Sequence, residues 1–197
     1  MAINRVVYTR GMPTQRALAK ADRRTALLDA AARLFAESGF ERVTLEEIGG
    51  AAGISGPAVY RHFAGKQAVL AAILIDASEG LLAGGRRVVD EVTDAGAALR
   101  ELVAFHVDFA VDNAAVIRVQ DRDLGSLADP DRRRVRTLQR TYVELWVAVL
   151  ARLDPDAGVA GLRARAHAGF GLMNSTPHTA SVSRDLLARM ALAALSA

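Results

Sequence analysis

The 197-residue chain reads as an all-α protein, a small N-terminal head of three helices followed by a larger helical body. Three observations predict this. Apolar residues recur at i, i+3, i+4 and i+7 over most of the chain, the spacing of one helix face. No segment shows the alternating pattern of a strand. The periodic segments are separated by residues that end or start helices: Gly39, Gly53, Pro57, Gly96, Asn113, Pro130, Pro155 and Pro177.

Residues 1–21 contain Arg5, Arg10, Arg16 and Lys20, no acidic residue, and both Gly11 and Pro13. They carry no sustained apolar period, so they are expected to form a flexible basic arm suited to a phosphate backbone. The first helix is expected over 22–38. Leu27, Ala31, Leu34 and Phe35 make its apolar stripe, Gly39 ends it, and Arg23 and Arg24 stand at its exposed start.

Residues 44–66 describe two short helices joined by a tight turn. Thr44 and Glu47 form a Thr-x-x-Glu capping box, which pairs two otherwise orphaned backbone donors and starts a helix at Leu45. Ile48, Ala51 and Ala52 are expected on its inner face, and Gly53 ends it. Gly49 and Gly50 inside this helix each cost about 1 kcal/mol relative to Ala and predict a soft segment. Ser55 or Gly56 caps the second helix, with Pro57 in its first turn, where a missing N–H is harmless. Val59 and Phe63 point inward. That leaves Ala58, Tyr60, Arg61 and His62 on the outer side, with Lys66 following as a phosphate clamp. Such a helix fits the DNA major groove.

The order Ala-Gly-Ile-Ser-Gly, then Val-Tyr-Arg-His-Phe-x-x-Lys, closely resembles the DNA-binding signature of TetR-family transcriptional regulators. The resemblance implies a TetR-like fold, with a DNA-binding head and a body for ligand binding and dimerisation. It implies a DNA surface made by Arg23, Arg24, Thr44, Ser55, Gly56, Pro57, Ala58, Tyr60, Arg61, His62 and Lys66. It further implies a homodimer on a palindromic double-stranded operator, most simply a repressor released by a small molecule. A ligand-independent helical DNA-binding or adaptor protein is the alternative.

A fourth helix is expected from Gly65 to about Gly84, where the pair Gly84-Gly85 is read as a break. Body helices are then placed at 86–93, 96–112, 114–127, 130–153, 156–175 and 179–195. The resulting division is 1–21 arm, 22–66 DNA-binding domain and 67–197 body. An apolar cavity with a few polar groups is expected from Phe105, His106, Phe109, Arg118, Arg122, Tyr142, Trp146, Phe170 and Asn174. The dimer surface is expected on the last two helices, along Leu162, Ala166, Phe170 and Met173, and along Leu186, Leu187, Met190 and Ala194. The series Ile117-Arg118-Val119-Gln120-Asp121, Leu124, Arg136, Gln139-Arg140, Val143, Trp146 and Val149-Leu150 looks like the body of acyl-CoA-responsive TetR repressors. That likeness implies an acyl chain among the aromatics, with Arg118 or Arg122 meeting the anionic part.

Charge supports the assignment of the head. Residues 1–66 hold ten lysines and arginines against six acidic residues, whereas the remainder holds fifteen against sixteen. Enzyme chemistry finds no foothold. Cysteine is absent, which removes thiolate nucleophiles, thiolate metal sites and disulfides. His62, His106, His167 and His178 include no i, i+4 metal pair, and no nucleophile elbow or phosphate-cradling glycine loop occurs. No metal or cofactor is expected. No apolar run of membrane-spanning length is read in the sequence, so a cytoplasmic protein is expected.

Overall fold

The computed structural model describes residues 15–179 and 183–196. Among them lie nine α-helices and no strand: α1 (Gln15–Ser38), α2 (Leu45–Ala51), α3 (Gly56–Val59), α4 (Lys66–Glu91), α5 (Ala95–Asp112), α6 (Ala114–Asp123), α7 (Asp129–Leu153), α8 (Val159–Met173) and α9 (Arg184–Leu195). Short 3-10 turns occupy Phe40–Arg42, Leu124–Ser126 and Thr176–His178.

The helix of α1 starts seven residues before the expected position. Residues 15–21 are therefore helix and not arm; the rest of the proposed arm, 1–14, falls outside the described residues. Gln15-Arg16-Ala17-Leu18-Ala19-Lys20-Ala21 is a run of strong helix formers, and lengthening an existing helix avoids the cost of nucleation.

The head core contains Leu27, Ala31 and Phe35 of α1, Phe40, Ile48 of α2, Val59 of α3, Phe63, and Val69, Leu70, Ile73 and Leu74 of α4, all buried. Phe35 and Phe40 meet edge to face at 5.4 Å. Val119 of α6, Leu127 and Val135 of α7 belong to the same cluster, so the body inserts side chains into the head. The second cluster gathers Leu82 of α4, Leu99, Leu102 and Val103 of α5, Trp146 and Leu150 of α7, Leu162 and Met173 of α8, and Leu187 and Leu195 of α9.

α4 connects the two clusters without a break. The expected stop at Gly84-Gly85 is wrong because these glycines are contact points inside a helix. A methyl group on Gly84 would sit 2.1 Å from the Phe105 ring of α5, and one on Gly85 would sit 2.6 Å from the Tyr142 ring of α7. The missing side chains let α5 and α7 lie close against α4. Continuity also gives α4 an apolar window of membrane-spanning length, with a mean hydropathy of 1.6 and 56% of it buried inside the protein. This window is longer than the apolar runs expected from the sequence, and its burial in both clusters accounts for the composition.

Gly49 has a similar role in the head. It is buried, and a Cβ there would approach both the Ile54 carbonyl oxygen and Val59 Cγ2 to 2.8 Å. Its carbonyl accepts from Ala52 N at 3.1 Å and Ile54 N at 2.8 Å, closing the turn between α2 and α3. The segment is tightly packed at Gly49 rather than soft. Gly50 is exposed and a Cβ would meet nothing within 4 Å. Ala51 also faces solvent, contrary to its expected inner position.

Gly49→Ala is therefore expected to destabilise the protein by about 1–3 kcal/mol through overpacking. Gly50→Ala is expected to stabilise it by about 0.5–1 kcal/mol through helix propensity alone. Urea denaturation of the two variants beside the parent measures the opposite signs.

Candidate functional site

Two regions of the molecule carry chemistry, the outer face of the head and a cavity in the body. In the head, the capping box forms as the sequence indicates. Glu47 Oε2 accepts from Thr44 N at 2.7 Å, and Glu47 N donates to Thr44 Oγ1 at 3.2 Å. The backbone donor at Thr44 holds the Glu47 carboxyl below its ordinary pKa. The regular part of α3 is only four residues long, shorter than the expected helix. It continues as a turn in which Arg61 N and His62 N donate to the carbonyls of Ala58 and Val59 at 3.2 and 2.8 Å.

This turn displays Ser55, Pro57, Tyr60 and Arg61 to solvent, Tyr60 at 55% exposure, while Gly56, Ala58 and His62 are half-buried beside them. Ser55 precedes the helix without a side-chain capping bond. Arg23 is exposed. Arg24 is engaged within the protein: its guanidinium pairs with Asp76 of α4 at 2.8 Å and lies 5.6 Å from the Phe63 ring centroid. The Lys66 ammonium donates to the Glu41 carbonyl at 3.0 Å and sits 4.6 Å from the Phe40 centroid, at the start of α4. Both cations anchor helix α4 to the head.

The cavity in the body has a volume of about 190 Å³ and is walled by five helices. Ser78 and Leu81 come from α4, His106 from α5, Gln120 from α6, Gln139, Tyr142 and Val143 from α7, and His167 and Phe170 from α8, whose C-terminus is capped by the last lining residue, Asn174. His106 is its buried polar centre, 2% exposed. Its Nε2 donates to Asn174 Oδ1 at 3.0 Å, and its Nδ1 receives the Tyr142 hydroxyl at 3.3 Å. The imidazole stacks on Tyr142 with centroids 5.8 Å apart and leans on Phe170 at 5.0 Å. Trp146 backs this wall, edge-on to Phe170 at 5.0 Å. Burial lowers the His106 pKa to about 4 and raises that of Tyr142, so both groups are neutral near pH 7.

Gln139, Val143 and His167 also border a second, outer hollow of about 490 Å³. Its remaining wall is Arg136, Arg140, Glu144 and Arg163. Arg163 meets the Glu144 carboxylate through two hydrogen bonds of 2.8 and 3.0 Å.

Of the residues expected at the cavity, Tyr142, Phe170, Asn174 and His106 line it, and Trp146 stands directly behind. Phe105 instead covers Gly84, and Phe109 is half-buried outside the lining. The Arg118 guanidinium is bound to the Pro177 carbonyl on the surface. Arg122 donates to the carbonyls of Phe35 and Ala36 at the end of α1 and pairs with Asp123 at 2.9 Å. Neither arginine faces the cavity, because both project from the opposite side of α6 to Gln120.

Ser78, Leu81, Gln120, Gln139, Val143 and His167 were not anticipated. For Gln139 a signal exists in the sequence: Val135, Gln139, Tyr142 and Trp146 fall at i, i+4, i+7 and i+11, an amide on an apolar stripe.

The expected dimer surface is also partly displaced. Leu162, Ala166, Met173 and Leu187 are at most 2% exposed within a single chain, because they pack α8 and α9 onto α5 and α7. Phe170 belongs to the cavity wall. Leu186 and Met190 remain 45% and 48% exposed, and Ala194 is half-buried.

The neutral burial of His106 has a pH consequence. Its pKa of about 4 in the folded chain lies below the ordinary 6.5, so the unfolded chain binds the proton first as pH falls. The contribution of this group to stability is complete above pH 6.5 and is lost between pH 6.5 and about 4, at up to about 1.4 kcal/mol per pH unit. Denaturation across this window is expected to show a shallower slope for His106→Gln than for the parent.

Comparison with known proteins agrees with this two-part arrangement. A family model described as "Bacterial regulatory proteins, tetR family" matches residues 27–73, and one described as "Tetracyclin repressor-like, C-terminal domain" matches residues 92–178. The chain is 35% identical over 142 residues, 71% of its own length and 67% of the relative's, to the HTH-type transcriptional repressor KstR2 of Rhodococcus jostii (strain RHA1). Its fold matches that of the ketosteroid transcriptional regulator KstR2 of Mycobacterium tuberculosis with a TM-score of 0.74 at 23% identity, covering 88% of this chain and 93% of the other. It matches the transcriptional regulator FadR from Bacillus subtilis, solved in complex with stearoyl-CoA, with a TM-score of 0.71 at 15% identity, covering 87% and 97%. Because one relative matches over two thirds of its length and the family models match head and body separately, the chain belongs to the TetR family of bacterial transcriptional regulators, which are DNA-binding proteins and not enzymes.

Proposed function

We propose that the protein is a homodimeric repressor that grips a palindromic operator through α3 and the following turn, and releases it when an acyl-CoA or a similar amphipathic anion enters the body cavity. The observation that carries this reading is the placement of α6. Gln120 of this helix faces the cavity, and Arg122, two residues on, holds the end of α1 in the head. An occupant that displaces α6 acts on the head through that guanidinium, and it shifts operator affinity only by its preference for the displaced state.

The DNA surface centres on Tyr60 and Arg61, with Ser55 and Pro57 beside them and Arg23 on α1. Thr44 contributes through the helix it caps, and Lys66 and Arg24 through their hold on α4, with a phosphate an alternative partner for each cation. The small inner cavity and the arginines outside it suit a short acyl group joined to a larger anionic moiety. These are Arg136, Arg140 and Arg163, and they replace Arg118 and Arg122 in the role expected from the sequence. Support for the acyl-CoA class comes from the stearoyl-CoA in the FadR complex, although the cavity here favours shorter chains.

A two-fold interface is proposed on the outer sides of α8 and α9. Gly161, Ala164, Ala168 and Gly171 make a smooth exposed line on α8, and Leu186 and Met190 project from α9. Small residues let paired helices approach closely, and the two large apolar side chains supply area to bury.

Tyr60→Ala and Arg61→Ala are each expected to weaken binding at least about tenfold to an operator selected from a random-sequence library, without changing oligomeric state. Unchanged gel-shift affinity for both would remove this face from the interface. Binding is expected to fall steeply with salt, and a flat titration would favour an adaptor role instead. Leu186→Glu combined with Met190→Glu is expected to give monomers by analytical ultracentrifugation. A persistent dimer would place the interface elsewhere.

A further inference from the structure

The amide nitrogen of Gln139 is buried and has no hydrogen-bond partner among the described residues. Gln139 borders both the inner cavity and the outer arginine-lined hollow, so it stands at the neck between them. An unpaired N–H in such a place is a standing cost to the folded protein unless something in the cavity accepts from it.

The neighbouring polar groups narrow what that acceptor is. Ser78 Oγ donates to the Leu74 carbonyl at 2.7 Å, and the Tyr142 hydroxyl is used on His106. Asn174 Oδ1 already accepts from His106, which leaves the Asn174 amide N–H groups as further donors with no partner among the described residues. The inner wall therefore offers donors to an occupant. Among the described residues no arginine or lysine lines it, His106 is neutral, and His167 stands at the border with the outer hollow, so a carboxylate beside Gln139 would lack a fixed cationic partner. A saturated hydrocarbon would leave the Gln139 N–H unpaired. A neutral acceptor oxygen fits, and in an acyl thioester that oxygen is a carbonyl.

We propose that Gln139 is the specificity-determining residue of the effector site, its side-chain N–H donating to a neutral carbonyl oxygen of the ligand at the neck of the cavity. The proposal rests on the reading of this cavity as an effector site. Two sources supply such an oxygen in an acyl-CoA: the thioester carbonyl itself, or a ketone on the acyl group. Either leaves the anionic portion directed toward Arg136 and Arg140.

The test measures binding of butyryl-CoA, its thioether analogue S-butyl-CoA, and acetoacetyl-CoA by isothermal titration calorimetry, using the full chain and Gln139→Leu. If the thioester is read, butyryl-CoA binds the parent at least about tenfold more tightly than S-butyl-CoA, and the ratio in Gln139→Leu falls to within about twofold. If a ketone is read, acetoacetyl-CoA binds the parent about tenfold more tightly than butyryl-CoA, and the variant loses that difference instead. The variant without ligand is expected to melt at or above the parent temperature, since it removes an unpaired polar group. This separates loss of recognition from loss of fold.

Equal affinity of the parent for all three compounds overturns the proposal while leaving the effector reading intact. Discrimination retained by a folded Gln139→Leu overturns it equally. Failure of all three to bind the parent overturns the effector reading, and the proposal with it.

Discussion

The structure depends on α4 remaining one helix. Its first half supplies Val69, Leu70, Ile73 and Leu74 to the head core, and its second half supplies Leu82 to the body core. A helix of 26 residues is about 39 Å long, so a single rigid element sets the separation of the two clusters. Two cations fix its first half to the head: Lys66 against Glu41 and Phe40, and Arg24 against Asp76 and Phe63. Gly84 and Gly85 fix the far half by admitting the rings of Phe105 and Tyr142. The body bears on the head along α4, through α6, and through Leu127 and Val135, which enter the head cluster beside Val119.

The sequence was informative where a residue acts on its own neighbours. The Thr44–Glu47 box, the inward Val59 and Phe63, and the outward Tyr60 and Arg61 all follow from spacings of three or four residues, which determine the face of a helix. It was less informative where a residue's role depends on a partner distant in the chain. Gly49, Gly84 and Gly85 looked like weak points because propensity counts only the helix they sit in. Each is required by a side chain or carbonyl from outside its own helix. Arg122 illustrates the same limit: a cation near an aromatic cluster in sequence turned out to serve the C-terminal carbonyls of α1, 86 and 87 residues away.

Helix faces explain the misplaced dimer residues as well. Leu162, Ala166, Met173 and Leu187 form apolar stripes, as an interface would, but a stripe does not reveal whether its own chain or a copy covers it. Here the chain's own α5 and α7 do so. What remains outside is small on α8 and larger on α9, a composition that amphipathic periodicity does not single out. Conversely, the polar members of the cavity, Gln120, Gln139 and Ser78, interrupt stripes that would otherwise be core. A neutral His106 at their centre keeps the buried part of the inner wall free of charge, while the arginines stand around the outer hollow.

The short length of α6 gives its two contacts a mechanical relation. Residues two apart on an α-helix lie about 3 Å apart along the axis and about 200° apart around it, so Gln120 and Arg122 project from nearly opposite sides. Rolling this ten-residue helix about its own axis moves the amide and the guanidinium in opposite directions by similar arcs. Under the proposed function, an occupant that rolls α6 would have its sideways push on Gln120 delivered by Arg122 to the end of α1 in the opposite sense, with the buried Val119 between them.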